Sequence, residues 1–135
     1  MNKRYQDWQI RFEAFIAQRR AAPFAWGQND CALFAADCVR AITGQDPAPP
    51  GLRLHKTKKQ ALRALERHGG LHSIATRALG QPVPASQAGV GDVVLVKVGR
   101  RDALAVCNGG TAFGPSARGL VAVGMDTATL AWRVA

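Results

Sequence analysis

The first half of the chain carries apolar residues at helical spacing. Between Tyr5 and Arg20 they recur every few positions, with arginine and glutamine on the opposite face, which predicts an amphipathic first helix. A break with proline and glycine follows. The apolar run from Cys31 to about Ile42 then predicts a second helix, which Gly44 ends.

Two further helices are predicted before the chain changes character. The stretch QDPAPPGLRLH is rich in proline and indicates an extended loop. After it, Thr57 and Gln60 have the spacing of a capping box, which predicts a helix through Arg67. A short fourth helix is predicted from Leu71 to Leu79.

From Gly89 onward the pattern is that of short strands. The runs VVLVKV, ALAVC, GLVAVG and TLAWRV are separated by turn residues and predict an antiparallel sheet of about four strands. Helices followed by strands indicate an α+β fold. We expect a single domain over residues 1–135, with a leading helix at 1–22, a cysteine-bearing loop and helix at 23–44, a loop and helices at 45–80, and the sheet at 89–135.

Composition supports an ordinary folded domain. Of 135 residues, 47% are hydrophobic and 20% are charged, and no apolar run approaches the ~20 residues of a membrane span. We therefore expect neither a signal peptide nor a transmembrane helix. Three cysteines without CxxC spacing argue against a disulfide framework and against a zinc site. We expect no metal and no cofactor, and synthesis in a reducing cytoplasm.

The net charge of +9 requires an anionic partner to be considered. Basic residues cluster locally at Arg19–Arg20, from Arg53 to Lys59, and at Arg100–Arg101. No aromatic residue interleaves with the cluster at 53–59, as a base-stacking surface would require. Nucleic acid is therefore a weak candidate, and a solvated basic face or an acidic protein partner is favoured.

Cys31 is the residue most suggestive of chemistry. With Asn29 or Asp30 as the helix cap, its sulfur falls in the first turn of the second helix, where unpaired N–H groups and the helix dipole favour a thiolate. A small buried hydrophobic residue is the alternative for any helical cysteine. Cys38 lies two turns further along the same helix, too far from Cys31 for an unstrained disulfide, and is expected in the core.

The surrounding string resembles a known signature. FAWGQNDCALF, from Phe24 to Phe34, is similar to the aromatic-Gly-x-x-Asp-Cys motif of NlpC-type cysteine peptidases. GDVVL at 91–95 and ALAVCNG at 103–109 resemble that family's next two strands. The resemblance implies a papain-like domain with Cys31 at the nucleophile position, and substrate-groove roles for Phe24, Trp26 and Asp30. The leading helix and the closing Trp132 segment resemble a branch found among bacteriophage tail proteins.

The resemblance fails at the catalytic histidine. Active members begin the second strand with the imidazole that deprotonates the thiol, whereas this chain has Ala103 there, or Asp102 if the alignment shifts by one. Alanine cannot titrate, and a carboxylate would raise the thiol pKa. The third catalytic position, near 113–116, holds no histidine either. The histidines at 55, 68 and 72 precede the predicted sheet, and His72 is the best candidate for a relocated base.

Three function classes remain open. The first, which the resemblance implies, is a structural component of a bacteriophage tail tip or baseplate, built on a degenerate NlpC-like peptidase fold and bound to other tail proteins in the virion after synthesis in the host cytoplasm. The second is an active thiol hydrolase that cleaves peptidoglycan peptides with Cys31. The third is a nucleic-acid or small-molecule binding module. The missing histidine favours the first. Phe24 and Trp26 either line a groove or fix their loop by packing.

Overall fold

The computed structural model describes residues 3–135, so Met1 and Asn2 of the predicted leading segment lie outside the described part. The helices come first and the strands follow. The helices are α1 (Trp8–Arg19), α2 (Cys31–Thr43), α3 (Lys58–Arg67) and α4 (Leu71–Leu79). The strands are β1 (Val83–Pro84), β2 (Val93–Val98), β3 (Arg101–Cys107), β4 (Thr111–Ser116), β5 (Gly119–Gly124) and β6 (Ala128–Trp132). The predicted α+β class is confirmed.

The helix predictions hold apart from their ends. α1 begins at Trp8 rather than Tyr5, and the predicted extended loop contains a 3-10 turn at Leu52–Leu54. At α3 the Thr57 Oγ1 accepts the Gln60 N–H at 3.2 Å, while the Gln60 side chain accepts the N–H of Lys56, one residue before the cap. Among residues 3–135, no helix has the length and apolar character needed to cross a bilayer.

Within residues 3–135 the sheet has six strands, so the prediction of about four is wrong. All neighbours are antiparallel, in the order β1-β6-β2-β3-β4-β5. The two missed strands are poor strand sequences: β1 is two residues long and ends in Pro84, and β4 contains Gly114 and Pro115. Proline and glycine are depleted in strands, so these two segments lack a local strand pattern. They form strands because they pair with neighbouring strands in the fold.

The two faces of the sheet pack differently. One face meets α1, α2 and α4 in a core of large apolar side chains that includes Phe12, Phe34, Val93, Leu95, Leu104, Val106 and Trp132. The other face is lined by smaller residues, among them Val94, Val96, Ala105, Cys107, Ala112 and Ala131. Side chains therefore alternate between the two faces along β2 and β3, as a pleated strand requires.

Candidate functional site around Cys31

The loop before α2 is held in place by Asp30. This side chain is 6% exposed; its Oδ1 accepts the Leu33 N–H at 2.9 Å and its Oδ2 accepts the Gly27 N–H at 3.0 Å. Gly27 has φ +76° and lies against the backbone of His55, whose carbonyl oxygen would clash with a Cβ at this position. Only glycine fits there. Asp30, predicted as a binding residue, is thus the N-cap of α2 with both oxygens engaged.

Cys31 occupies the first turn of α2, as predicted, and is partly exposed. Burial of the thiol raises its pKa, and the carboxylate of Asp30 raises the pKa further. Backbone N–H groups of Leu104, Ala32 and Cys31 itself lower the pKa, but the net shift is upward. The helix terminus therefore does not outweigh burial and Asp30 in setting the direction of the shift.

β3 presents no base to the sulfur. Leu104, whose N–H acts on the thiol, is 4% exposed and belongs to the core between sheet and helices. Ala103, the predicted position of the missing histidine, packs with the opposite face of the sheet. Asp102 has the same strand parity as Leu104, but its carboxylate pairs with Lys97 at 2.7 Å. Neither predicted position supplies a proton acceptor for Cys31.

The three histidines occupy other positions in the fold. His72 is exposed on α4, with its ring edge-to-face against Trp132 of β6 at 5.7 Å between centroids. Because β2 separates β6 from β3, His72 lies over a different strand from the one beside Cys31. His55 is 9% exposed, and its Nε2 has no hydrogen-bond partner among the described residues. His68 caps the C-terminus of α3.

Phe24 and Trp26 form an aromatic pair beside the Cys31 loop. Their ring centroids are 4.7 Å apart in an edge-to-face arrangement, and both side chains are half-buried. The Phe24 N–H donates to the Ser116 carbonyl at 2.7 Å, which joins this loop to the end of β4. The Phe24 backbone thus joins the loop to β4, and part of each ring stays accessible.

A family model matches almost the whole chain. The model is that of a domain of unknown function, DUF6950, and it covers residues 3–134. The chain belongs to the DUF6950 family. A comparison with curated proteins finds no match to it.

In this member of the DUF6950 family, one buried polar residue has several close partners although the sequence did not single it out for a role. Asp92, directly before β2, is 1% exposed; its Oδ1 accepts from the Arg4 side chain at 2.9 Å, and its Oδ2 forms an ion pair with Arg133 at 2.9 Å. Its carboxylate also accepts the N–H groups of Val134 and Gly89, each at 2.8 Å. The GDVVL motif could have signalled this position, since a charged residue directly before a buried strand requires partners.

Arg4 completes that cluster at the amino-terminal end of the described chain. Its guanidinium donates to the carbonyls of Val134 at 2.7 Å and Val90 at 2.8 Å, and it lies 4.2 Å from the centroid of the Trp8 ring. These contacts tie the segment before α1 to the segment that follows β6 in sequence and to the residues just before β2. The cluster organises the fold and lies at the opposite end of β2 from Lys97.

The other two cysteines are buried, as expected for Cys38. Burial raises the pKa of Cys38 to about 12 and also raises the pKa of Cys107. Within the part of the chain that the structure describes, no three potential ligand side chains gather into a metal-binding group.

Proposed function

We propose that the chain is a non-catalytic NlpC-like, papain-like domain that serves as a structural component of a bacteriophage tail tip or baseplate. The observation that carries the non-catalytic part is the setting of Cys31. Its thiol has a raised pKa and no proton acceptor from β3. A cysteine nucleophile acts as the thiolate and needs a base or a depressed pKa. Cys31 has the position of a nucleophile without that chemical support.

The papain-like assignment is supported by the arrangement around α2. A helix that begins at a cysteine packs on β3, and β3 pairs along its whole length with the strand that begins after Gly91–Asp92. The same order of cysteine helix, Gly-Asp strand and following strand is what the sequence resemblance implies. A shared scaffold does not imply shared chemistry, because the chemistry depends on the residues of the site.

The tail assignment rests on the sequence resemblance of the leading helix and of the closing Trp132 segment. The structure gives both segments a structural role: Trp132 is fully buried, and the N–H of Arg4 donates to the carbonyl of Ala135 at 2.8 Å. In this proposal the partners are neighbouring tail proteins, and the domain is located in the virion after synthesis in the host cytoplasm.

A thiol hydrolase that cleaves peptidoglycan peptides is the second candidate. The specific observation in its favour is the group of backbone N–H donors that lowers the thiol pKa, two from the start of α2 and one from Leu104. In that reaction Cys31 would attack the carbonyl carbon, and donors of this kind could hold the resulting oxyanion. The base would have to come from outside β3.

Alkylation of Cys31 distinguishes the two candidates. We expect iodoacetamide to modify Cys31 with an apparent pKa above the ~8.5 of a free thiol, because burial and Asp30 both disfavour the thiolate. The measurement is the rate of modification between pH 5 and 10, mapped by mass spectrometry, with Cys31→Ala as the control and muropeptide cleavage assayed in parallel. An apparent pKa below ~8.5 together with cleavage that Cys31→Ala abolishes would replace the structural role with the hydrolase.

A further inference from the structure

A groove lies between the loop at 50–55 and one face of α3, away from Cys31. Its α3 wall consists of Gln60, Arg63, Ala64 and Arg67, which follow the three-and-four spacing of a single helical face. Its other wall consists of Pro50, Gly51 and Leu54, and Glu66 and His68 complete the lining. The groove therefore has one basic wall and one largely apolar wall.

The two arginines of the basic wall have no acidic partner among the described residues. Arg63 and Arg67 are exposed, and within residues 3–135 neither forms an ion pair. Between positions 56 and 67 the chain has five basic side chains and one acidic side chain, Glu66. Arg53 contrasts with them, because it pairs with Asp37 at 2.7 Å and Asp46 at 3.0 Å. Arg53 of the basic cluster predicted at 53–59 is thus neutralised, and the free positive face of the groove comes from Arg63 and Arg67 of α3, which lie outside that cluster.

The second wall adds a feature that points to a ligand. His55 also lines the groove, but its Nε2 is buried and offers no accessible surface to a ligand there. Leu54 is 79% exposed although it is a large apolar residue, and it stands on the wall opposite the arginines.

We propose that this groove binds an acidic peptide segment of a partner protein, with carboxylates against Arg63 and Arg67 and an apolar side chain against Leu54. The two arginines favour acidic residues in the peptide because the charges are complementary. The exposed Leu54 favours an apolar residue next to them. Nucleic acid fits less well because no aromatic residue lines the groove for base stacking. The inference deepens the proposed structural role by naming a contact surface, and it rests on that role.

The test is a fluorescence-anisotropy titration of the intact chain with a labelled peptide of alternating glutamate and leucine. We expect saturable binding that Arg63→Glu/Arg67→Glu weakens by about tenfold or more, since each reversal places like charges in contact. Arg100→Glu/Arg101→Glu is the matched control, because it changes net charge equally at the turn between β2 and β3. Leu54→Ser should give a smaller loss without altering charge.

Several outcomes would overturn the inference. Equal weakening by both double variants would mean that net charge rather than the groove attracts the peptide. Tight binding of a single-stranded oligonucleotide with the same dependence on Arg63 and Arg67, and none of the peptide, would replace the partner with nucleic acid. Thermal melts of each variant separate lost binding from lost folding. Muropeptide cleavage by Cys31 would refute the structural role without changing the peptide titration, so the two failures are distinguishable.

Discussion

Asp92 and Cys31 are both polar residues at the start of an element, but their surroundings differ in kind. Asp92 precedes β2 and has three hydrogen-bond donors and an ion pair with Arg133, from three separate parts of the chain. Cys31 begins α2, where the nearby backbone N–H groups are outweighed by burial and by the neighbouring Asp30. The Asp92 carboxylate is compensated by close partners, whereas the surroundings of Cys31 raise the pKa of its thiol.

This difference separates what the fold needs from what a reaction would need. A buried carboxylate is tolerated only with close partners, so the contacts of Asp92 are a requirement for folding. A reactive thiol requires the opposite arrangement, in which nearby groups favour the charged form. Around Cys31 only the scaffold of such a site is present, namely a capped helix start and a tight glycine turn. Mutations at the two places should therefore affect different properties.

The largest effect is expected from Asp92→Ala. It leaves the guanidinium of Arg4, 14% exposed, without its carboxylate, and it removes the acceptor of two backbone N–H groups. Breaking a buried ion pair by removing one partner typically costs about 3–5 kcal/mol of unfolding free energy. Urea denaturation followed by circular dichroism measures this loss.

The control within the same cluster is Arg133→Ala. The Arg133 side chain is 60% exposed, and its removal leaves Asp92 with Arg4 and both backbone donors. We expect a cost of about 1 kcal/mol or less, as for exposed ion pairs. Equal costs for the two variants would show that Asp92 does not organise the cluster as described.

A smaller effect is expected at Asp30. Asp30→Ala removes the acceptor of the Leu33 and Gly27 N–H groups and should lower the unfolding free energy by about 1–2 kcal/mol, the usual cost of losing an N-cap. Asp30→Asn keeps a capping oxygen and removes the negative charge, so it should cost less.

The asparagine variant also has a chemical readout. Since the charge of Asp30 raises the pKa of the Cys31 thiol, Asp30→Asn should shift the alkylation profile of Cys31 to lower pH. Iodoacetamide rates for the wild type and both variants measure the shift. An unchanged profile would mean that Asp30 has no electrostatic effect on Cys31.

Much of the fold could be predicted because its elements have local signals. The caps at Asp30 and Thr57 mark the starts of α2 and α3, and β2, β3, β5 and β6 have apolar and β-branched runs. β4 could not be predicted, because Gly114 and Pro115 hide a strand that only pairing with β3 and β5 reveals. Strand propensity depends on neighbours that the local sequence does not contain.

For the site, the sequence predicted only those features that depend on residues close together in the chain. The position of Cys31 at a helix start followed from its cap, and the absence of a histidine on β3 could be read directly. The contact between Gly27 and His55 joins residues far apart in sequence, and so does the cluster of Arg4, Asp92 and Val134. No spacing rule connects such residues, because their proximity results from the packing of the loops and of the ends of the described chain.

The smallest effect is expected from Asp102→Ala, at the second position considered for the missing base. Asp102 pairs with Lys97 across β2 and β3, with 46% and 55% of the two side chains exposed. Exposed pairs contribute about 1 kcal/mol or less, so the unfolding free energy should change little. The alkylation profile of Cys31 should also stay the same, since Asp102 does not contribute to the pKa of its thiol. Lys97→Ala is the matched control. A changed Cys31 profile in Asp102→Ala alone would mean that Asp102 acts on the thiol, and would reopen the hydrolase.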